Sequence, residues 1–200
     1  PRREALPMIL GDKKVYSVCG AHGKSTTTAI LSAIMDGCHA LIGAESKEFK
    51  SNTRFVKESR CVVFEADESD ASFLNSNPYY AIVTNAEPEH MEYYGYDLDR
   101  FYGAYREFLE KAKKRVINAE DSFLSTLELE AIKLYPSKDI KNITFTLIDD
   151  EPHTEFELKD LGKFEVWGFG HHIALDASLA ILCAMDDGIC VESIRENIKH

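Results

Sequence analysis

The chain has 200 residues, 44% of them hydrophobic, enough for one ordinary domain with a substantial core. Its 34 acidic against 23 basic side chains leave a net charge of -11 and a pI near 5.1, a field that repels nucleic acid and lends an anionic nucleotide no long-range help. No apolar run approaches bilayer length and nothing reads as a signal peptide, while the five cysteines, odd in number and never spaced as C-x-x-C, read as buried thiols in a reducing cytosol.

In chain order, the apolar run Val15-Tyr16-Ser17-Val18-Cys19 predicts a first strand. It leads into Gly20-Ala21-His22-Gly23-Lys24-Ser25-Thr26-Thr27-Thr28, which reads as a phosphate loop and the first turn of a helix. Further strands are expected at residues 40–43, 61–66, 80–85, 115–118 and 143–147. Phe101, Tyr105, Phe108, Leu109 and Ala112 recur at helical spacing, with Asp97 and Asp99 at the start and Lys111, Lys113, Lys114 and Arg115 at the end, as the helix dipole favours. Residues 154–158 and 163–167 alternate polar and apolar side chains and read as a hairpin. Two helices, near 172–185 and 191–199, close the chain with Asp187-Gly188 between them. This alternation predicts an α/β fold, a mostly parallel sheet with helices on both faces and a β-hairpin near the C-terminal end. No repeat or linker interrupts it.

The chemistry gathers behind the strands, where ligands of open α/β sheets bind. The small residues Gly20, Ala21 and Gly23, with His22 between them, let backbone N–H groups close around phosphate oxygens; Lys24 brings positive charge to the β/γ region, and Ser25, followed by Thr26, offers a hydroxyl to Mg²⁺. The general Walker pattern asks for glycine where this chain has Val18. Glu65 ends the run Cys61-Val62-Val63-Phe64, the position from which an acidic residue in phosphate-loop enzymes holds Mg²⁺ directly or through water. Asp67, Glu68 and Asp70 follow it, and a solvated or capping role suits them equally well. His90 follows the strand 80–85 after a turn containing Pro88, between Glu89 and Glu92.

Three stretches carry a resemblance. The loop reads G-x-H-G-K-S/T-T-T, Glu65 to Leu74 forms an acidic stretch, and Thr84-Asn85-Ala86-Glu87-Pro88-Glu89-His90-Met91-Glu92 is similar to T-N-x-E-x-D-H-M-D. Together they resemble the Mur ligase family, within it the branch that joins L-alanine to UDP-N-acetylmuramate, from Pro1 to the last helix. The resemblance implies the central, ATP-binding domain of a three-domain cytoplasmic enzyme, with the N-terminal UDP-sugar-binding and the C-terminal domains outside residues 1–200, as the start at Pro1 rather than Met also indicates. It implies ATP with Mg²⁺ or Mn²⁺ as cofactors, Lys24, Glu65 and His90 as catalytic residues, and Ser25, Glu65 and His90 around metal. Gly170-His171-His172-Ile173-Ala174-Leu175-Asp176-Ala177 resembles the segment G-x-H-N-x-x-N-A, which places His172 and Asp176 towards adenine on one side of a helix. Where the family has an amide, Asp176 as carboxylate only accepts hydrogen bonds, and Glu89 and Glu92 stand where it usually has Asp. The partners implied are UDP-N-acetylmuramate and L-alanine, with no nucleic acid and no membrane, in a reaction that activates the muramate carboxylate as an acyl phosphate and gives it to the alanine amine. Two alternatives stand beside this reading: another ligase of the family, such as one joining recycled peptide to muramate, and a nucleotide-binding regulatory module without ligase chemistry.

Overall fold

A computed structural model describes residues 2–46 and 50–199 of the chain, so Pro1, where the resemblance begins, lies outside the described residues. Helix α1 (Arg2–Leu10) leads into β1 (Lys14–Cys19), α2 (Lys24–Ile34), β2 (His39–Ser46), β3 (Ser51–Arg54), β4 (Cys61–Glu65) and β5 (Tyr80–Val83). Then come α3 (Leu98–Lys111), β6 (Lys114–Asn118), β7 (Ile132–Leu134), the single turn α4 (Pro136–Asp139), β8 (Ile140–Ile148), β9 (Glu151–Leu158), β10 (Lys163–Trp167), α5 (His171–Asp186) and α6 (Val191–Asn197).

Seven strands form the main sheet in the order β3-β2-β4-β1-β5-β6-β7, parallel except for the edge strand β3. Alternation along β1 explains the two layers that cover it. Val15 and Cys19 face a cluster with α1 and α3 that includes Leu6, Leu10, Phe101, Tyr105 and Phe108. Tyr16 and Val18 face the opposite cluster, with Leu31 and Ile34 of α2, Ala177 and Ile181 of α5 and Ile194 of α6. Both faces of the sheet are thus buried, which is why its central strands read as continuous apolar runs. Asp97 caps α3 by accepting from the N–H groups of Asp99 and Arg100.

Four sequence expectations need correction. Residues 143–147 belong to β8, which pairs antiparallel with β9 in a separate three-stranded sheet, so the hairpin has a third strand. Strands β3 and β7 and helix α1 were not expected: β3 is the polar stretch Ser-Asn-Thr-Arg, β7 has three residues, and α1 carries Pro7 inside it. The cysteines are not five free thiols, because Cys38 and Cys61 form a disulfide with a Cα separation of 4.9 Å. The parallel register of His39 against Val62 brings Cys38 to the start of β4, a proximity that a separation of 23 residues hides. Nor are the remaining thiols all buried, since Cys19 and Cys183 are and Cys190 is exposed.

Candidate active site

Strands β1, β4 and β5 end side by side, and the loops that leave them build one site. Leaving β1, the chain turns at Gly20 (φ 145°) and again at Gly23 (φ 79°) before α2 starts at Lys24. Glycine is required twice over. A Cβ on Gly20 would lie 2.0 Å from Thr84 Oγ1, and one on Gly23 would lie 2.3 Å from Asp176 Oδ1. The end of β5 clamps the loop: Thr84 Oγ1 donates to the His22 carbonyl at 2.6 Å, Asn85 Nδ2 donates to the same carbonyl at 2.9 Å, and the His22 N–H donates to Asn85 Oδ1 at 3.2 Å. Residues 62 and 63 positions away thereby fix the loop's backbone, and the first turn of α2 has no side-chain cap on its N–H groups.

Lys24 Nζ donates to the Gly20 carbonyl and to Glu68 Oε1, both at 3.2 Å. Ser25 Oγ donates to Glu65 Oε1 at 2.9 Å, and the Gly43 N–H donates to Glu65 Oε2 at 2.6 Å. A Cβ on Gly43 would sit 2.4 Å from Glu65 Oε1, so a side chain there would displace the carboxylate. A cavity of about 570 Å³ joins these groups: Lys24, Gly43, Glu65, Glu68 and His90 all line it. His90 is exposed, on a backbone with φ 50°. His22 Nε2 lies 3.2 Å from Glu89 Oε1 and 3.5 Å from Glu87 Oε2, which ties the loop between β1 and α2 to the loop that carries His90.

Among the described residues no group of three or more His, Cys, Asp and Glu side chains converges into a metal cage. The donors that do meet, the Ser25 hydroxyl and the Glu65 carboxylate, are hard oxygens in contact with each other. That set fits Mg²⁺, which takes one or two protein ligands and completes its shell with phosphate and water.

Of the residues after Glu65, Asp67 and Asp70 are turn caps, accepting from the N–H groups of Ser69 and Ser72. Glu68 is neither solvated nor a cap. It is 3% exposed, its Oε2 has no hydrogen-bond partner, and burial pushes its carboxyl above the ordinary range against the pull of Lys24. Sequence reasoning also passed over Thr84 and Asn85 as loop clamps, although both stand in the quoted motif at a strand end.

The adenine pair divides. His172 is exposed at the start of α5, beside a cavity of about 370 Å³ lined by Pro136, Ile140 and Leu175. Asp176 is 3% exposed and packed against Gly23, with Oδ2 unpartnered, and burial raises its pKa to about 8. His172 therefore stays open while Asp176, one turn further along α5, is buried beneath the loop.

With this geometry in view, residues 18–183 match the model of the Mur ligase middle domain. The chain belongs to this family. It is 61% identical over 199 residues to the UDP-N-acetylmuramate–L-alanine ligase of Campylobacter curvus, covering all of this chain and 45% of that protein. It is 59% identical to the ligase of the same name from Helicobacter pylori, covering 44% of it. The crystal structure of the UDP-N-acetylmuramate-alanine ligase of Thermotoga maritima superposes with a TM-score of 0.80 at 25% identity, over 98% of this chain and 46% of that one. The chain thus spans about half the length of the curated relatives it matches. Among the described residues no helix is long and apolar enough to cross a membrane.

Proposed function

We propose that this chain is the ATP-binding central domain of an enzyme that joins L-alanine to UDP-N-acetylmuramate in the cytoplasm, with residues 1–200 flanked in the full-length protein by domains that bind the UDP sugar and the amino acid. One observation carries the reading: Lys24, Ser25 and Glu65 meet at the N-terminus of α2, behind a loop held open by Asn85 and beside a cavity that also receives His90. Backbone N–H groups of Gly20 to Thr26 would cradle ATP phosphates, with exposed His172 available to the base and Asp176 buried against Gly23 beneath the loop. Mg²⁺ or Mn²⁺, held by Ser25 and Glu65 with His90 nearby, supplies charge neutralisation at the phosphates when bound. Lys24 stabilises negative charge on the phosphoryl group as it moves to the muramate carboxylate, work of position and electrostatics. The amine of L-alanine then attacks the acyl phosphate and releases phosphate. The overall charge of -11 argues against nucleic acid as a partner.

The reading makes the domain able to bind and unable to ligate. Holding the muramate carboxylate in line with the γ-phosphate supplies roughly 7 to 11 kcal/mol of a barrier, and that task falls to the flanking domains. The 200-residue chain should therefore bind Mg-ATP and form no amide when given UDP-N-acetylmuramate and L-alanine. The full-length protein should sustain ADP release over many turnovers only when both UDP-N-acetylmuramate and L-alanine are present. ADP release indifferent to acceptors in the full-length protein would replace the ligase with a nucleotide switch.

A further inference from the structure

Glu68 stands apart from the other acidic residues of its loop. Its side chain is 4% exposed against 22% for Lys24, whose ammonium it meets at 3.2 Å. The Tyr94 hydroxyl donates to the Glu68 carbonyl at 2.5 Å, so the backbone that aims the carboxylate is tied to the segment before α3. Phe101 packs edge-on against that tyrosine ring at 5.2 Å. A buried carboxylate is tolerated where a cation and hydrogen bonds compensate it. Lys24 is that cation, and the same ammonium is the one that would meet phosphate.

We infer that Glu68 is the positioning residue of Lys24: its buried carboxylate holds the ammonium against the Gly20 carbonyl at the mouth of the loop, so that nucleotide meets a charge already in place. The inference rests on the Mg-ATP reading above. It has two consequences that differ in sign. Removing the negative charge of Glu68 makes the mouth more positive and tightens ground-state binding of an anionic nucleotide, while freeing the ammonium to wander slows phosphoryl transfer. A carboxylate that merely stabilised the fold would leave kcat unchanged. The pair also implies that Lys24 cannot be removed silently, because its loss leaves a buried charge uncompensated.

The test uses Lys24→Met, Glu68→Gln and the double variant. In thermal unfolding of the 200-residue chain without nucleotide, Lys24→Met should lower the midpoint by roughly 10 °C, and adding Glu68→Gln should recover much of that loss. In titrations with a fluorescent ATP analogue and Mg²⁺, Glu68→Gln should bind about threefold or more tightly than the parent, in keeping with one repulsive charge removed at a partly hydrated mouth. In the full-length protein the same substitution should lower kcat about tenfold with KM for ATP unchanged or reduced, and Glu68→Asp should restore part of kcat. Additive midpoint shifts would overturn the pair, and an undiminished kcat in Glu68→Gln would overturn the positioning role. Failure of the parent chain to bind Mg-ATP, with the thermal coupling intact, would reject the nucleotide reading and leave Glu68 and Lys24 as a structural ion pair only.

Discussion

At the end of the sheet where β1, β5 and β6 begin, two lysines meet two carboxylates; at the end where β1 finishes, one lysine meets one. The first arrangement is closed on itself. Lys14 and the Tyr16 hydroxyl both bond Asp187, while Tyr80 donates to Asp186 at 2.6 Å and Lys114 at 2.7 Å. The rings of Tyr16 and Tyr80 stack between them at 5.3 Å. Against a desolvation that pushes it upward, hydrogen bonds from Lys114 and Tyr80 hold the Asp186 carboxyl below its usual range. At the other end the accounting stays open: among the described residues Thr27 Oγ1, Glu68 Oε2 and Asp176 Oδ2 are buried without hydrogen-bond partners around the loop after β1, whereas Ser32 Oγ and the Tyr105 hydroxyl are so elsewhere. Native proteins pair nearly all buried polar atoms, so unpaired ones gathered at one place mark where a ligand or solvent completes the structure. The same residue types thus fasten the fold at one end and wait for chemistry at the other.

The largest way to break this contrast is to remove Lys24. Lys24→Met should cut acceptor-dependent ADP release by the full-length protein roughly a hundredfold to a thousandfold, the usual loss for a charged group aimed at a transition state. Steady-state kinetics with saturating acceptors measure it. A loss below tenfold would move the phosphoryl-stabilising role elsewhere.

Next comes Asp176, through pH. Its folded pKa, about 8, lies above the ordinary carboxyl value, so the folded chain holds a proton that the unfolded chain releases near pH 4. Stability should therefore fall as pH rises from about 4 to 8 and level off above, and Asp176→Asn should remove that slope. From the size of the shift the effect has a ceiling of roughly 6 kcal/mol. Urea unfolding of parent and variant at pH 5 and pH 8.5 decides it: the gap between them should widen at the higher pH, and a constant gap would show that Asp176 is ionised throughout.

A third substitution tests the clamp. Asn85→Ala removes two hydrogen bonds from the His22 backbone and should cost about 1 to 3 kcal/mol of stability. Because those bonds shape the loop, affinity for Mg-ATP should fall by a larger factor than it does for a comparable loss elsewhere. Calorimetric titration beside a melting curve separates the two effects.

How far the sequence carried these points depends on how local they are. Strands β1, β4 and β5 and the pairing of β9 with β10 rest on adjacent residues with a clear period, and the structure has them close to where they were read. The clamp of Asn85 on His22, the burial of Glu68 against Lys24 and the Cys38–Cys61 pair join residues that only the strand order makes neighbours. Acidity alone could not rank Glu68 above Asp67, since both stand in the same charged run; only the turn after β4 decides which one points inward. Asp176 is similar. Helical spacing puts it one turn from His172, but packing of α5 on α2 closes over one position and leaves the other open.

The smallest expected effect is at the closed end. Tyr80→Phe deletes a hydroxyl that donates to Asp186 while keeping the ring that stacks on Tyr16. Asp186 retains Lys114 as a partner, so no buried charge is left bare and the loss should be about 1 kcal/mol, the net worth of one hydrogen bond. Affinity for Mg-ATP should not change, because the substitution lies at the opposite end of β5 from Thr84 and Asn85. If Tyr80→Phe weakened nucleotide binding as much as Asn85→Ala, the two ends would be coupled through β5 and α5, and the division between a fastening end and a chemical end would be wrong.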